Sequence, residues 1–146
     1  MGGKGVEQDF SKAVFYYERS AETTKLLEAY LGLARLYYLG RGVEQDYDKA
    51  FLYYSTIDKH KQHPIAWLML GRMYLAGHGV EKDLVRARNY LRKAAERGYV
   101  FGYAYLYVLE RELGNACKAW LLKWKAAILT IRLKLVNGED IRLRSS

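Results

Sequence analysis

Asp9, Asp46 and Asp83 are the carboxylates best placed for chemistry, because each stands at the same point of one repeated stretch. A general acid or base must reach its substrate proton, yet each aspartate opens an apolar-periodic segment. There a carboxylate accepts the free N–H groups of a helix start and favours its positive end. Helix capping is therefore their expected role. Cys117 has no histidine nearby, and Ser11, Ser20 and Ser55 fall on helical segments among tyrosines, so no nucleophile and base are paired. His60 and His63 flank Pro64 without the further ligands a closed metal site requires. The glycine pairs Gly40/Gly42 and Gly77/Gly79 end helices instead of following strands, the wrong context for a phosphate cradle. A non-enzymatic protein is expected, with no catalytic residues, metal or cofactor.

The elements that carry these residues follow from a repeat. Gly5, Gly42 and Gly79 are each 37 positions apart and introduce Val6, Val43 and Val80, then Asp9, Asp46 and Asp83, then Ala13, Ala50 and Ala87. A period of this length marks stacked helical hairpins. Gly40 and Gly77 suit the left-handed residue that ends a helix, the valines an apolar contact under the loop, and the alanines a close approach to the partner helix, where Ala34 and Gly71 are also small. Helices are expected at about 9–22, 25–39, 46–60, 64–76, 83–97, 99–113 and 115–136. In the first, Phe10, Val14, Tyr17 and Ala21 make the apolar stripe. Pro64 fits the first turn of the fourth.

The run from Ala66 through Trp67, Gly71, Tyr74, Gly77, Gly79, Val80, Asp83, Ala87, Tyr90, Ala94, Ala95 and Gly98 resembles the Sel-1-like repeat family, relatives of the tetratricopeptide repeats. Ala29, Leu33, Ala34, Tyr37, Gly40, Gly42, Val43, Asp46, Ala50, Tyr53 and Tyr54 supply most of a second copy, and half of a first precedes them. The resemblance covers residues 3 to about 106. It implies an all-α, right-handed α-α superhelix. In function it implies a protein–protein interaction scaffold or adaptor, with a neutralising partner of a secreted toxin as the alternative. The family branch stapled by paired cysteines is excluded, since Cys117 is the sole cysteine. Fourteen tyrosines fit helix contacts filled by large rings with wet hydroxyls.

The chain is expected to divide into a solenoid over 1–114, its first repeat incomplete, and a capping helix with a basic tail over 115–146. Beyond Gly102 the signature decays. Tyr107 takes the place of Ala34 and Gly71, and Glu110 that of Tyr37 and Tyr74, so close packing of another standard hairpin is expected to fail. The last helix has two apolar faces. Cys117, Trp120, Leu121, Trp124, Ile128, Ile131 and Leu135 are expected to cover the end of the solenoid. Leu122, Leu129, Leu133 and Val136, with Ala119 and Ala126, form the second face, from which homodimerisation is expected unless the tail Ile141-Arg142-Leu143 folds over it.

A protein or peptide partner is expected on the exposed face of each first helix, which lines the concave side of a stack. With Ala29, Leu33 and Tyr37 turned inward, the opposite face at about 100° per residue carries Glu28, Leu31, Arg35 and Tyr38. Its equivalents are Ile65, Leu68, Arg72 and Leu75, then Phe101, Ala104, Val108 and Arg111. This mixture of aromatic, aliphatic and arginine side chains suits an interface. The formal charge is +8, of which +5 lies beyond Asn115, where Lys118, Lys123, Lys125, Arg132, Lys134, Arg142 and Arg144 oppose Glu139 and Asp140. Such a helix can serve nucleic acid or an anionic surface, a further alternative, although its alternation with apolar residues reads more simply as a solvated helix. No stretch is long enough to span a bilayer and no signal peptide precedes the first motif, which favours the cytoplasm. A start inside a hairpin loop points to a missing upstream helix and leaves periplasmic or secreted placement open.

Overall fold

The computed structural model describes residues 10–23 and 26–142, excepting the side chains of Lys61 and of residues 135–142. Seven helices occur among the described residues: α1 (Phe10–Thr23), α2 (Leu27–Leu39), α3 (Tyr47–Lys61), α4 (Pro64–Ala76), α5 (Leu84–Glu96), α6 (Val100–Glu112) and α7 (Ala116–Arg142). They pair as the hairpins α2–α3, α4–α5 and α6–α7, with α1 as the second helix of the preceding copy. The stack is an all-α, right-handed superhelix. Asp9, the first glycine pair with Val6, and the tail residues 143–146 lie outside the described residues.

The repeated aspartates cap as their position requires. Asp83 Oδ1 accepts the amides of Val85 and Arg86, each at 2.9 Å, and Asp46 Oδ1 accepts that of Lys49 at 2.9 Å. Each loop is also tied back to the helix it leaves, because the Asp46 amide donates to Tyr37 O and the Asp83 amide to Tyr74 O, both at 3.0 Å. Gly77 ends α4 in the left-handed region with its amide on Met73 O. The second glycine does something else. Gly79 has φ +65° and lies against the backbone of Tyr47, the first residue of α3, so a Cβ there would collide with the Tyr47 carbonyl. Gly42 meets Phe10 at the start of α1 in the same way, a hypothetical Cβ falling 2.5 Å from its carbonyl carbon.

Small residues also set the spacing between helices. Ala34, Ala50, Ala66 and Ala87 are fully buried, and a Cβ on Gly71 would sit 2.7 Å from Leu91 Cγ. Around these contacts Leu33, Leu70, Leu91 and Leu109 are essentially solvent-free, each contributing about 1.5–3 kcal/mol by leaving water.

The final hairpin departs from expectation in two ways. Glu110 does not prevent packing: it is buried, and Arg88 Nε and Asn115 Nδ2 each donate to it at 2.7 Å. A charge replaces the ring, and its partners satisfy it. The loop shortens to Leu113-Gly114-Asn115, and α6 packs closely on α7. The facing of α7 is also reversed. Ala119 is buried and Leu122 packs against the core that holds Leu106 and Leu109, while Trp120, Leu121, Trp124, Ile128 and Ile131 are exposed. Leu129 is half-buried, and among the described leucines of the second face Leu133 stands clear. Leu122 is thus occupied within the chain and is not a free surface for a second copy. The side chains of Leu135 and Val136 lie outside the described residues.

Gly79→Ala should destabilise the chain by about 1–3 kcal/mol, since it adds both a strained φ and a backbone clash. A thermal melt of the variant superposing on wild type would remove the close approach as a determinant.

A candidate binding face on the first helices

α4 packs against α6, whereas α5 makes no comparable packing with α3 or α7, which turns the first helices of these two hairpins toward the inside of the curve. The residues expected on this face divide into two groups. Glu28, Arg35, Ile65, Phe101 and Arg111 are exposed. Leu31, Tyr38, Leu68 and Leu75 are half-buried against the core. Val108 is also half-buried. At the N-terminal end of the face, Glu28, Leu31, Arg35 and Ile65 line a groove of about 640 Å³ with Tyr17 and Leu39.

Arg72 is not the free anchor its helical position implies. Its guanidinium lies 5.5 Å from the Tyr38 ring centroid and 5.1 Å from that of Tyr105, so it stands between rings from the hairpins before and after its own. Its Nη1 also donates to Met69 Sδ at 3.5 Å. Each cation–π contact of a half-buried arginine is worth roughly 0.5–2 kcal/mol. Beside it, Tyr47 and His78 stack at 4.2 Å, and Tyr38 Oη lies 3.4 Å from His78 Nδ1. These contacts join three hairpins on the concave side. Sequence reasoning missed them, because Tyr38 and Tyr105 occupy different positions of the unit and no repeat spacing relates either ring to Arg72.

A second set of polar contacts fastens the helices away from this face. Asp58 accepts from Trp67 Nε1 and, at 3.0 Å, from Tyr90 Oη. Tyr37 Oη donates to Glu18 Oε1 at 3.0 Å. Burial first, then the neighbouring carboxylate, pushes the Tyr37 and Tyr90 hydroxyls up to about 12. Burial alone dominates at Tyr54, also pushed up to about 12.

No group of three or more histidine, cysteine, aspartate or glutamate side chains is arranged to hold a metal among the described residues. His63 caps α4, its Nδ1 accepting the Ile65 amide at 3.3 Å, and Cys117 is an exposed thiol. No helix among them is long and apolar enough to cross a membrane.

Stacked hairpins closed by a Gly-x-Gly loop and an aspartate cap define a repeat solenoid of the tetratricopeptide-like class. Within it, the Sel1 repeat model matches residues 1–22, 27–56 and 65–99, and the chain belongs to that family. Two solved structures are similar. One is a protective antigen present in uropathogenic Escherichia coli strains, displaying an SLR fold, with 28% identity and a TM-score of 0.73 over 91% of this chain and 30% of the other. The other is a Sel1 repeat protein from Oxalobacter formigenes, with 27% identity and a TM-score of 0.73 over 86% of this chain and 52% of the other. This chain thus spans about a third and a half of their lengths. A search of curated proteins returns no match.

Arg72→Glu should lower the melting temperature while Arg35→Glu leaves it nearly unchanged, because only the former breaks packed contacts. Equal melts would dissolve the clamp. For Tyr37, Tyr54 and Tyr90, a folded value of about 12 against an ordinary 10.0 means that the unfolded chain loses these protons first. Their contribution to stability is therefore intact below pH 10 and lost as the pH rises from about 10 to 12. Denaturation midpoints falling over that window, with a late-titrating class in phenolate absorbance, are the expected readout.

Proposed function

We propose that the chain is a non-enzymatic recognition module that holds a protein or peptide along the concave face of α2, α4 and α6. Sel1 repeat solenoids generally act as protein–protein interaction scaffolds, and this reading assigns that role to particular side chains. The observation that carries it is the row of exposed Glu28, Arg35, Ile65, Phe101 and Arg111 on successive first helices, opening at one end into the apolar groove beside Leu31.

The half-buried leucines form the floor of this face and the exposed charges its rim. That arrangement matches interfaces in which a desolvated apolar centre supplies most of the affinity and charged margins set orientation and on-rate. Arg72 contributes by fixing the spacing of the helices, not by free reach. Arg35 and Phe101 are the residues best placed to contact a partner directly.

A photo-crosslinking side chain introduced at Ile65 should capture the partner, whereas one at Asn89 on α5 should not. Arg35→Glu with Phe101→Ala should abolish capture, each contact of this kind being worth about 2 kcal/mol or more, while the thermal melt is preserved. Capture that survives both changes, or that proceeds equally from Asn89, would move the site off the concave face.

A further inference from the structure

The outer face of α7 carries an apolar run that no other second helix matches in full, although Leu52 of α3 and Phe15 of α1 are exposed at the position of Leu121. α5 and α7 are related by a shift of 32 positions: Ala87 and Ala119 are both buried, and their amides donate at 2.9 Å to the carbonyls of Asp83 and Asn115. In that register Asn89, Arg92 and Glu96 of α5 correspond to Leu121, Trp124 and Ile128 of α7. The three positions on α5 are exposed even though α6 packs beside it, and all three are polar there. On α7 the same positions are 50%, 52% and 61% exposed and apolar. A further hairpin packed as α6 packs on α5 would leave them uncovered.

Ile131 extends the patch, as does Trp120, which takes the position where Arg88 of α5 is half-buried against Glu110, and the Trp120 and Trp124 rings meet edge to face at 5.8 Å. The five side chains fall within about 100° of the helix circumference and run roughly 17 Å along it. They leave on the order of 600 Å² of apolar surface open, at the upper end of what a monomer displays. Both edges are basic. Lys118, Lys125 and Arg132 border one side and Lys123 and Lys134 the other, all exposed, and no acidic residue occurs between Ala116 and Lys134.

That charge pattern selects among occupants. Pairing two copies through this face would set two rows of cations against two more without counter-charges, and like-charge juxtaposition costs several kcal/mol. An anionic bilayer complements both parts: indole and branched aliphatic groups enter the headgroup–acyl boundary while flanking lysines and arginines reach the phosphates. The helix is not apolar enough to cross a bilayer. We propose that α7 docks in the interfacial plane of an anionic lipid bilayer through Trp120, Leu121, Trp124, Ile128 and Ile131, presenting the concave face of the solenoid at the membrane surface.

The test uses the full chain with phosphatidylcholine vesicles, with and without phosphatidylglycerol, followed by co-sedimentation and indole emission. Binding and a blue shift are expected with phosphatidylglycerol and not with phosphatidylcholine alone, Trp67 being buried already. Trp124→Gln with Ile128→Gln should abolish binding while keeping the melt of wild type, since both positions are solvent-exposed. Lys125→Gln with Arg132→Gln should weaken it roughly 30-fold, about fivefold for each cation near an anionic surface. Absence of binding to the phosphatidylglycerol vesicles overturns the proposal, as does equal binding to the neutral ones. A lipid-free dimer that Trp124→Gln with Ile128→Gln dissociates would assign the face to a second copy, and vesicle-independent oligonucleotide binding lost in the same variant would assign it to nucleic acid. Either result also overturns it.

Discussion

In the first two loops the distance between neighbouring units is set by backbone meeting backbone, where the second glycine rests on the first residue of the preceding second helix. At Gly79 and Tyr47, and again at Gly42 and Phe10, there is no room for a side chain. A peptide contact of this kind is stiffer than one made through rotamers, because nothing in it can repack. Once it is fixed, the buried alanines and Gly71 settle at the corresponding depth, and the leucines between them find one arrangement instead of several. The valines of the loop, the aspartate caps and the tyrosine rings then operate within a spacing already decided.

Polar groups refine that spacing. Glu18, Asp58 and Glu110 each collect donors from neighbouring helices, and each is placed so that a tyrosine, tryptophan, arginine or asparagine closes the pairing. The three carboxylates stand at different points of the unit, so these fastenings are added locally and are not part of the repeat. Glu110 carries this furthest: a carboxylate at the site where Tyr37 and Tyr74 present rings preserves the hairpin because Arg88 and Asn115 arrive with it.

The first six helices were legible in the sequence to within a residue or two, since the glycine pairs and aspartates punctuate them locally and their capping geometry depends on nothing distant; α7 carries no such stop signal and runs to Arg142, six residues past its expected end at 136. The facing of α7 was not legible. A helical wheel finds two apolar arcs on that helix but does not say which one docks, and the bulk of the tryptophans favoured the wrong one. The choice follows from small size: Ala119 repeats Ala87 and allows close approach, which no tryptophan permits. Arg72 was misread for a related reason. The wheel gives the direction in which a side chain leaves its own helix, but it is blind to rings arriving from the hairpins on either side. Leu31, Leu68 and Leu75 lie on the expected face, yet their half-burial is a property of the stack and not of any one helix.

Arg72 bears on the mechanics of the array. In a linear solenoid each junction between units ordinarily contributes an independent term, so bending at one is not felt at the next. A guanidinium held between Tyr38 on one side and Tyr105 on the other belongs to both junctions at once. Opening either gap withdraws it from the other's ring or leaves it behind, which turns two separate hinges into a single coupled spring. The two junctions beside Arg72 are thereby linked through one side chain, and a change in the gap at one bears on the contact made at the other.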